Sequence, residues 1–211
     1  MDMTDLQVLF EQTAQRHHNH LCPRQVLGVR MGVWAGELLG IELPQDDKRV
    51  FCFVETDGCL TDGIAVATGC ALGRRTMYLM DYGKTAATFV DTVTQRAFRI
   101  TPTLHARQRA FEYAPHAPDR WHAQLEAYQV MPTSELLQAQ EAQLTVNLDA
   151  ILSKHGMRVV CEQCGEDVIN ERFVIREGRI LCRPCANGAY YVVNALSLEL
   201  PQPLCAACDI S

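Results

Sequence analysis

No run of apolar residues in this 211-residue chain reaches the ~18 that a membrane span requires. The first residues lack a basic region followed by an apolar stretch, the pattern of a secretory leader. A basic surplus is missing too. Lys and Arg total 19 against 25 Asp and Glu, a formal net charge of −6, so a phosphate backbone is not attracted overall and a nucleic-acid partner would need a local basic patch. There is neither an internal repeat nor a low-complexity tract. Hydrophobic residues at 48% and charged residues at 21% belong to a folded globular protein rather than a disordered or fibrous one. Together these absences point to a cytoplasmic protein that contacts no membrane and binds no nucleic acid.

Cysteine is absent from residue 71 to residue 160, and the gap divides ten cysteines into two sets. Cys22, Cys52, Cys59 and Cys70 stand singly, whereas Cys161/Cys164, Cys182/Cys185 and Cys205/Cys208 form three Cys-x-x-Cys pairs. Ten cysteines in a short secreted chain would be a disulfide framework; at this length and without a leader, metal binding or thiol chemistry is the better reading.

The most specific pattern is CEQCGEDVINERFVIREGRILCRPC, in which 17 residues separate the first Cys-x-x-Cys from the second. Each such turn presents two thiolates to one side, and two turns complete the tetrahedron that Zn²⁺ accepts, with Glu177-Gly178 turning a hairpin between them. Cys161, Cys164, Cys182 and Cys185 are therefore expected to hold a structural zinc, closed to substrate. Cys205 and Cys208 offer only two ligands and read as terminal thiols.

HNHLCP, residues 18–23, places His18, His20 and Cys22 just before Pro23, which suits the first turn of a helix. Two imidazoles and a thiol so close are borderline-metal ligands or catalytic groups, set against the bland alternative of exposed histidines and a packed thiol. A helix N-terminus would favour the thiolate of Cys22. RQVLGVRMGVWAGELLG continues that helix, with Gly28, Gly32, Gly36 and Gly40 every fourth residue. The strip either packs against another backbone or serves as a dimer seam or ligand bed. RVFCFVET is a buried strand, and DGCLTDGIAVATGC opens on a turn and becomes a helix headed by Cys59. Cys59 and Cys70 lie about 16 Å apart along such a helix and cannot share an ion. TMYLMDYG, KTAATFV and QRAFRIT read as further strands, HARQRAFEYAPHAPDRW as a proline-broken helix, and PTSELLQAQEAQLTVNLDAILSKHG as one long helix stopped at Gly156.

HNHLCPRQVLGVRMG, ETDGCLTDGIAVATGCALGRRTMYLMDYGKTAATF and the four-cysteine segment together resemble the E-subunit family of formylmethanofuran dehydrogenase. The resemblance implies an α+β core, a mixed sheet packed with helices, followed by a treble-clef zinc finger, and a homodimer. It places His18, His20, Cys22 and Cys59 in one core cleft, as catalytic groups or as ligands of a second transition metal, with Lys84 and Asp81 of DYGK lining it. The family carries glycine after Cys-Pro; here Arg24 brings a positive charge. The expected organisation is a core over 1–130, a connecting helix over 131–157, the finger over 158–196 and a tail over 197–211. Two functions follow as expectations. One is a zinc-binding accessory protein or subunit beside a molybdenum or tungsten oxidoreductase of one-carbon metabolism; the other is a stand-alone metal- or thiol-dependent enzyme acting on a small molecule.

Overall fold

The computed structural model describes residues 3–152 and 156–192; Cys205, Cys208 and the expected tail lie outside them. The chain divides into two units, Met1–Val146 and Asn147–Ser211.

The first unit begins with α1 (Met3–Gln15) and α2 (Pro23–Leu39), followed by β1 (Val50–Val54), α3 (Cys59–Thr68) and β2 (Met77–Leu79). Strand β1 is buried along its whole length, as its unbroken apolar sequence demands. It runs parallel to β2 through the α3 crossover and antiparallel to β3 (Ala87–Asp91). Then β4 (Ala97–Pro102) pairs with β3, giving the order β2-β1-β3-β4-β5 once the last strand is added. Between β4 and that strand, prolines 115 and 118 separate α4 (Ala106–Tyr113) from α5 (Arg120–Val130). The mixed sheet with packed helices is the α+β core the sequence implies.

The long connecting helix is not formed. Helix α6 spans only Thr133–Leu136, and Leu137–Glu141 is instead β5, paired antiparallel with β4 through Ile100↔Ala139 and Pro102↔Leu137. Glu, Gln, Ala and Leu favour helix intrinsically, but that preference is worth only tenths of a kcal/mol per residue. Pairing with the open edge of β4 and burying Leu136 and Leu137 outweighs it. The core thus extends past residue 130.

Helices α2 and α3 cross backbone to backbone. A methyl group on Gly28 would lie 2.2 Å from the Leu60 carbonyl oxygen, and one on Gly63 2.1 Å from that of Gln25. Gly32 faces the Ala67 methyl and Gly36 the returning Ile41 carbonyl, while Gly40 caps α2 with φ 69°. The glycine strip therefore serves packing inside the unit. Arg30, also on α2, is buried; its guanidinium donates to the carbonyls of Tyr128 (3.0 Å), Gln129 (3.2 Å) and Met131 (2.8 Å) and to the Thr133 hydroxyl (3.1 Å). These bonds satisfy the carbonyls that α5 leaves open at its end.

In the second unit, α7 (Leu148–Leu152) precedes the hairpin β6 (Arg158–Val160) and β7 (Asp167–Ile169). A second hairpin, β8 (Phe173–Arg176) and β9 (Arg179–Cys182), turns at Glu177-Gly178 and leads into α8 (Arg183–Asn187).

Candidate metal centre and core cleft

The knuckle between β6 and β7 presents Cys161 and Cys164; the end of β9 and the first turn of α8 present Cys182 and Cys185. Knuckle, hairpin and helix in this order are a treble clef. The four sulfurs lie within 4.8 Å of one another. A tetrahedral ion with Zn–S bonds of about 2.3 Å requires S···S edges of about 3.8 Å, and Cys164 and Cys182 stand 3.8 Å apart. The N–H groups of Cys182 (3.2 Å to Cys161 Sγ) and Cys185 (3.4 Å to Cys182 Sγ) support thiolate ligands. Backbone N–H bonds from Cys164 and Cys182 hold the Cys161 thiol down to about 6, whereas its bond to Cys182 and desolvation push Cys185 up to about 12. A divalent cation would relieve the repulsion that keeps the last thiols protonated. The donor set fits a structural zinc.

The core motif is arranged differently from the expectation. Cys22 is the N-cap of α2, with Pro23 at the first helical position, and its N–H binds Gln25 Oε1 at 2.8 Å. Its thiol is near that of Cys59, which opens α3. Two helix N-termini, held together by the glycine crossing, thus bring two thiols together. Burial pushes the Cys22 thiol up; N–H donation from Gln25 opposes this, and Cys59 raises it further. The helix terminus therefore does not leave Cys22 a free thiolate.

His18 and Asn19 adopt left-handed backbone angles, φ 53° and 59°, and His17, His18 and His20 are exposed. The His20 ring stacks on Trp121 of α5 at 5.7 Å. Among the described residues, no cluster of metal-binding side chains joins these histidines to Cys22 and Cys59. Cys70 lies against Cys52 and donates to the Val50 carbonyl at 3.3 Å, a packed thiol pair separate from Cys59. Asp81 and Lys84 are exposed.

Lys84 does line a cavity of about 750 Å³ in the first unit, together with Arg24 of α2, Arg99 of β4, Arg107 of α4 and Tyr128 of α5. Arg99 is matched by the buried Glu55 through two bonds, 2.6 and 2.8 Å. The sequence marked Lys84 and Arg24; Arg99, Arg107 and Tyr128 carry no local pattern and meet only through the fold.

An α+β core joined to a four-cysteine treble clef defines a two-unit zinc-binding protein. Residues 17–146 match the family model described as FmdE, molybdenum formylmethanofuran dehydrogenase operon, and residues 156–191 match the prokaryotic DksA/TraR C4-type zinc finger. The chain belongs to the FmdE family. It is 30% identical over 203 residues to a probable S-adenosyl-L-methionine-binding protein of Archaeoglobus fulgidus, covering 85% of this chain and 53% of that protein. The chain thus spans about half the length of that relative. Its fold matches the crystal structure of a tungsten formylmethanofuran dehydrogenase FmdE-like protein from Syntrophus aciditrophicus, with TM-score 0.57 and 19% identity, over 86% of this chain and 92% of that one.

Proposed function

We propose that this is a cytoplasmic, homodimeric accessory protein of a molybdenum or tungsten oxidoreductase of one-carbon metabolism, which holds a transition metal at Cys22 and Cys59. The observation that carries the reading is that these two thiols head the neighbouring helices α2 and α3, close enough for Cys59 to perturb Cys22, within the segment that matches the family. Two sulfurs on fixed helix ends supply part of a soft coordination set. His18 and His20, exposed on the adjoining turn, complete it by a local rearrangement of residues 18–20 that carries His20 off Trp121. A bound metal would polarise a ligand or hold an exchangeable ion. The chain's own part is to fix the thiols and to exclude water around Cys22.

The alternative, a stand-alone enzyme acting on a small molecule, is favoured by the cavity that Lys84 lines beside Arg24, two positions from Cys22. S-adenosyl-L-methionine binding is the named property of a longer relative. Its sulfonium cation would meet like charge at Arg24, Lys84 and Arg107.

Metal analysis of wild type against Cys22→Ser/Cys59→Ser, with the finger intact in both, tests the core site. Loss of about one equivalent beyond the finger zinc supports it. Equal metal content, with both thiols unreactive toward an alkylating agent near neutral pH, overturns it. Co-purification with a large molybdenum or tungsten enzyme favours the accessory role over the stand-alone one.

A further inference from the structure

The cavity in the first unit has a charge opposite to that of the chain as a whole. Four cations line it, and only Arg99 is matched, by Glu55. Among the described residues Arg24, Lys84 and Arg107 meet no carboxylate. Three unpaired positive charges thus converge on one space in a protein whose formal net charge is −6. Exposed at their outer ends and gathered on one cavity, these charges set up a local positive potential that attracts an anion.

A second feature points the same way. Tyr128 lines the cavity at 1% exposure. A tyrosine so placed offers a hydroxyl that can donate to an oxyanion. Leu27 and Leu104 give the cavity apolar wall as well, and about 750 Å³ lies within the range of small-molecule sites.

We infer that this cavity binds a small organic polyanion, with the guanidinium groups of Arg24 and Arg107 and the ammonium of Lys84 on its oxyanion groups and the Tyr128 hydroxyl donating to it. Planar guanidinium forks match carboxylate or phosphate oxygens two at a time, and Lys84 adds a point charge. The residues come from α2, the β2–β3 loop, α4 and α5, so the site exists only in the folded core. It needs no metal at Cys22 and Cys59.

The test is calorimetric titration of the full-length protein with pyrophosphate and with citrate, at low and at raised salt. Pyrophosphate as the tighter probe identifies a phosphorylated ligand; citrate as the tighter identifies a polycarboxylate. Arg107→Gln and Arg24→Gln should each weaken binding about tenfold or more, the loss expected for a charge-assisted hydrogen bond. Tyr128→Phe should weaken it by a smaller factor while the protein still unfolds at an unchanged or higher temperature. Arg179→Gln, in the finger, serves as the control and should bind as wild type does. Binding that survives in Cys22→Ser/Cys59→Ser supports a site independent of the thiols. If neither probe binds the wild type, or if both cavity arginine variants bind as it does, the inference fails.

Discussion

Gly63→Ala sets two known effects against each other. Alanine is the better helix former by about 1 kcal/mol, so helix propensity alone predicts a more stable protein. The new methyl, however, would lie 2.1 Å from the Gln25 carbonyl oxygen and 2.7 Å from the Val29 nitrogen, both backbone atoms of α2. A carbon–oxygen contact settles at about 3.3 Å or more, so the helices must part by about 1.2 Å. No flexible side chain can absorb this. Overpacking of this kind costs typically about 1–3 kcal/mol, and parting the helices also loosens dispersion contacts along their whole seam. The clash should prevail by about 1–2 kcal/mol, a fall in unfolding temperature of about 3–6 °C at this chain length. Thermal unfolding of wild type, Gly63→Ala and Gly73→Ala measures it, since a methyl on Gly73 would meet nothing within 4 Å. Cys59 heads the same helix, so the variant should also alkylate faster at Cys22 and Cys59. A Gly63→Ala protein as stable as wild type or more so would refute the crossing as the reason for glycine.

Cys182→Ser should lose the finger zinc and leave residues from about 158 onward open to protease, because in such modules metal binding supplies the folding energy; a zinc-replete, protease-resistant variant would count against the site. Asp91 is buried and accepts two bonds from Arg49, both 3.0 Å, together with the Val93 N–H and the Thr94 hydroxyl. Arg49, chiefly, lowers its carboxyl from 3.8 to about 2. A depressed carboxyl contributes stability above its unfolded value and loses it as pH falls through the folded one, so about 2 kcal/mol present at pH 6 should disappear between roughly pH 5 and pH 2. Denaturant titrations of wild type and Asp91→Asn should therefore converge as the pH drops; a gap that stays constant down to pH 2 would show that the carboxylate charge contributes nothing.

The strands of the core and the finger ligands were legible because their signals are local: β1 is an unbroken apolar run, and two Cys-x-x-Cys turns define their own geometry. Strand β5 was hidden by composition. LQAQE alternates apolar and polar residues as a strand does, but its helix-forming residues argue for helix; only the waiting edge of β4 decides. At HNHLCP, closeness in sequence suggested closeness of side chains, yet left-handed turns at His18 and Asn19 send the imidazoles outward. A helix terminus by itself lowers a thiol's pKa, and Cys22 sits at one. How deeply that terminus is buried, and that Cys59 stands against it, are tertiary facts. The cationic cavity was half visible in Arg24 and Lys84, and its other members are single residues on three different elements.

The bonds of Arg30 also bear on the order in which this protein becomes a protein. Its guanidinium reaches a carbonyl 101 residues further along the chain, and β4 waits equally for β5. During synthesis α2 emerges early with an undocked charge and an uncovered apolar flank, and stays so until residues near 133 have followed. Closing so long a loop is slow, and exposed intermediates of this kind are the species that aggregate or engage chaperones. The finger has no such delay, since its four ligands all lie between Cys161 and Cys185 and its assembly depends on metal supply. Heterologous production should accordingly be limited at two separate points, temperature and translation rate for the first unit and available zinc for the second.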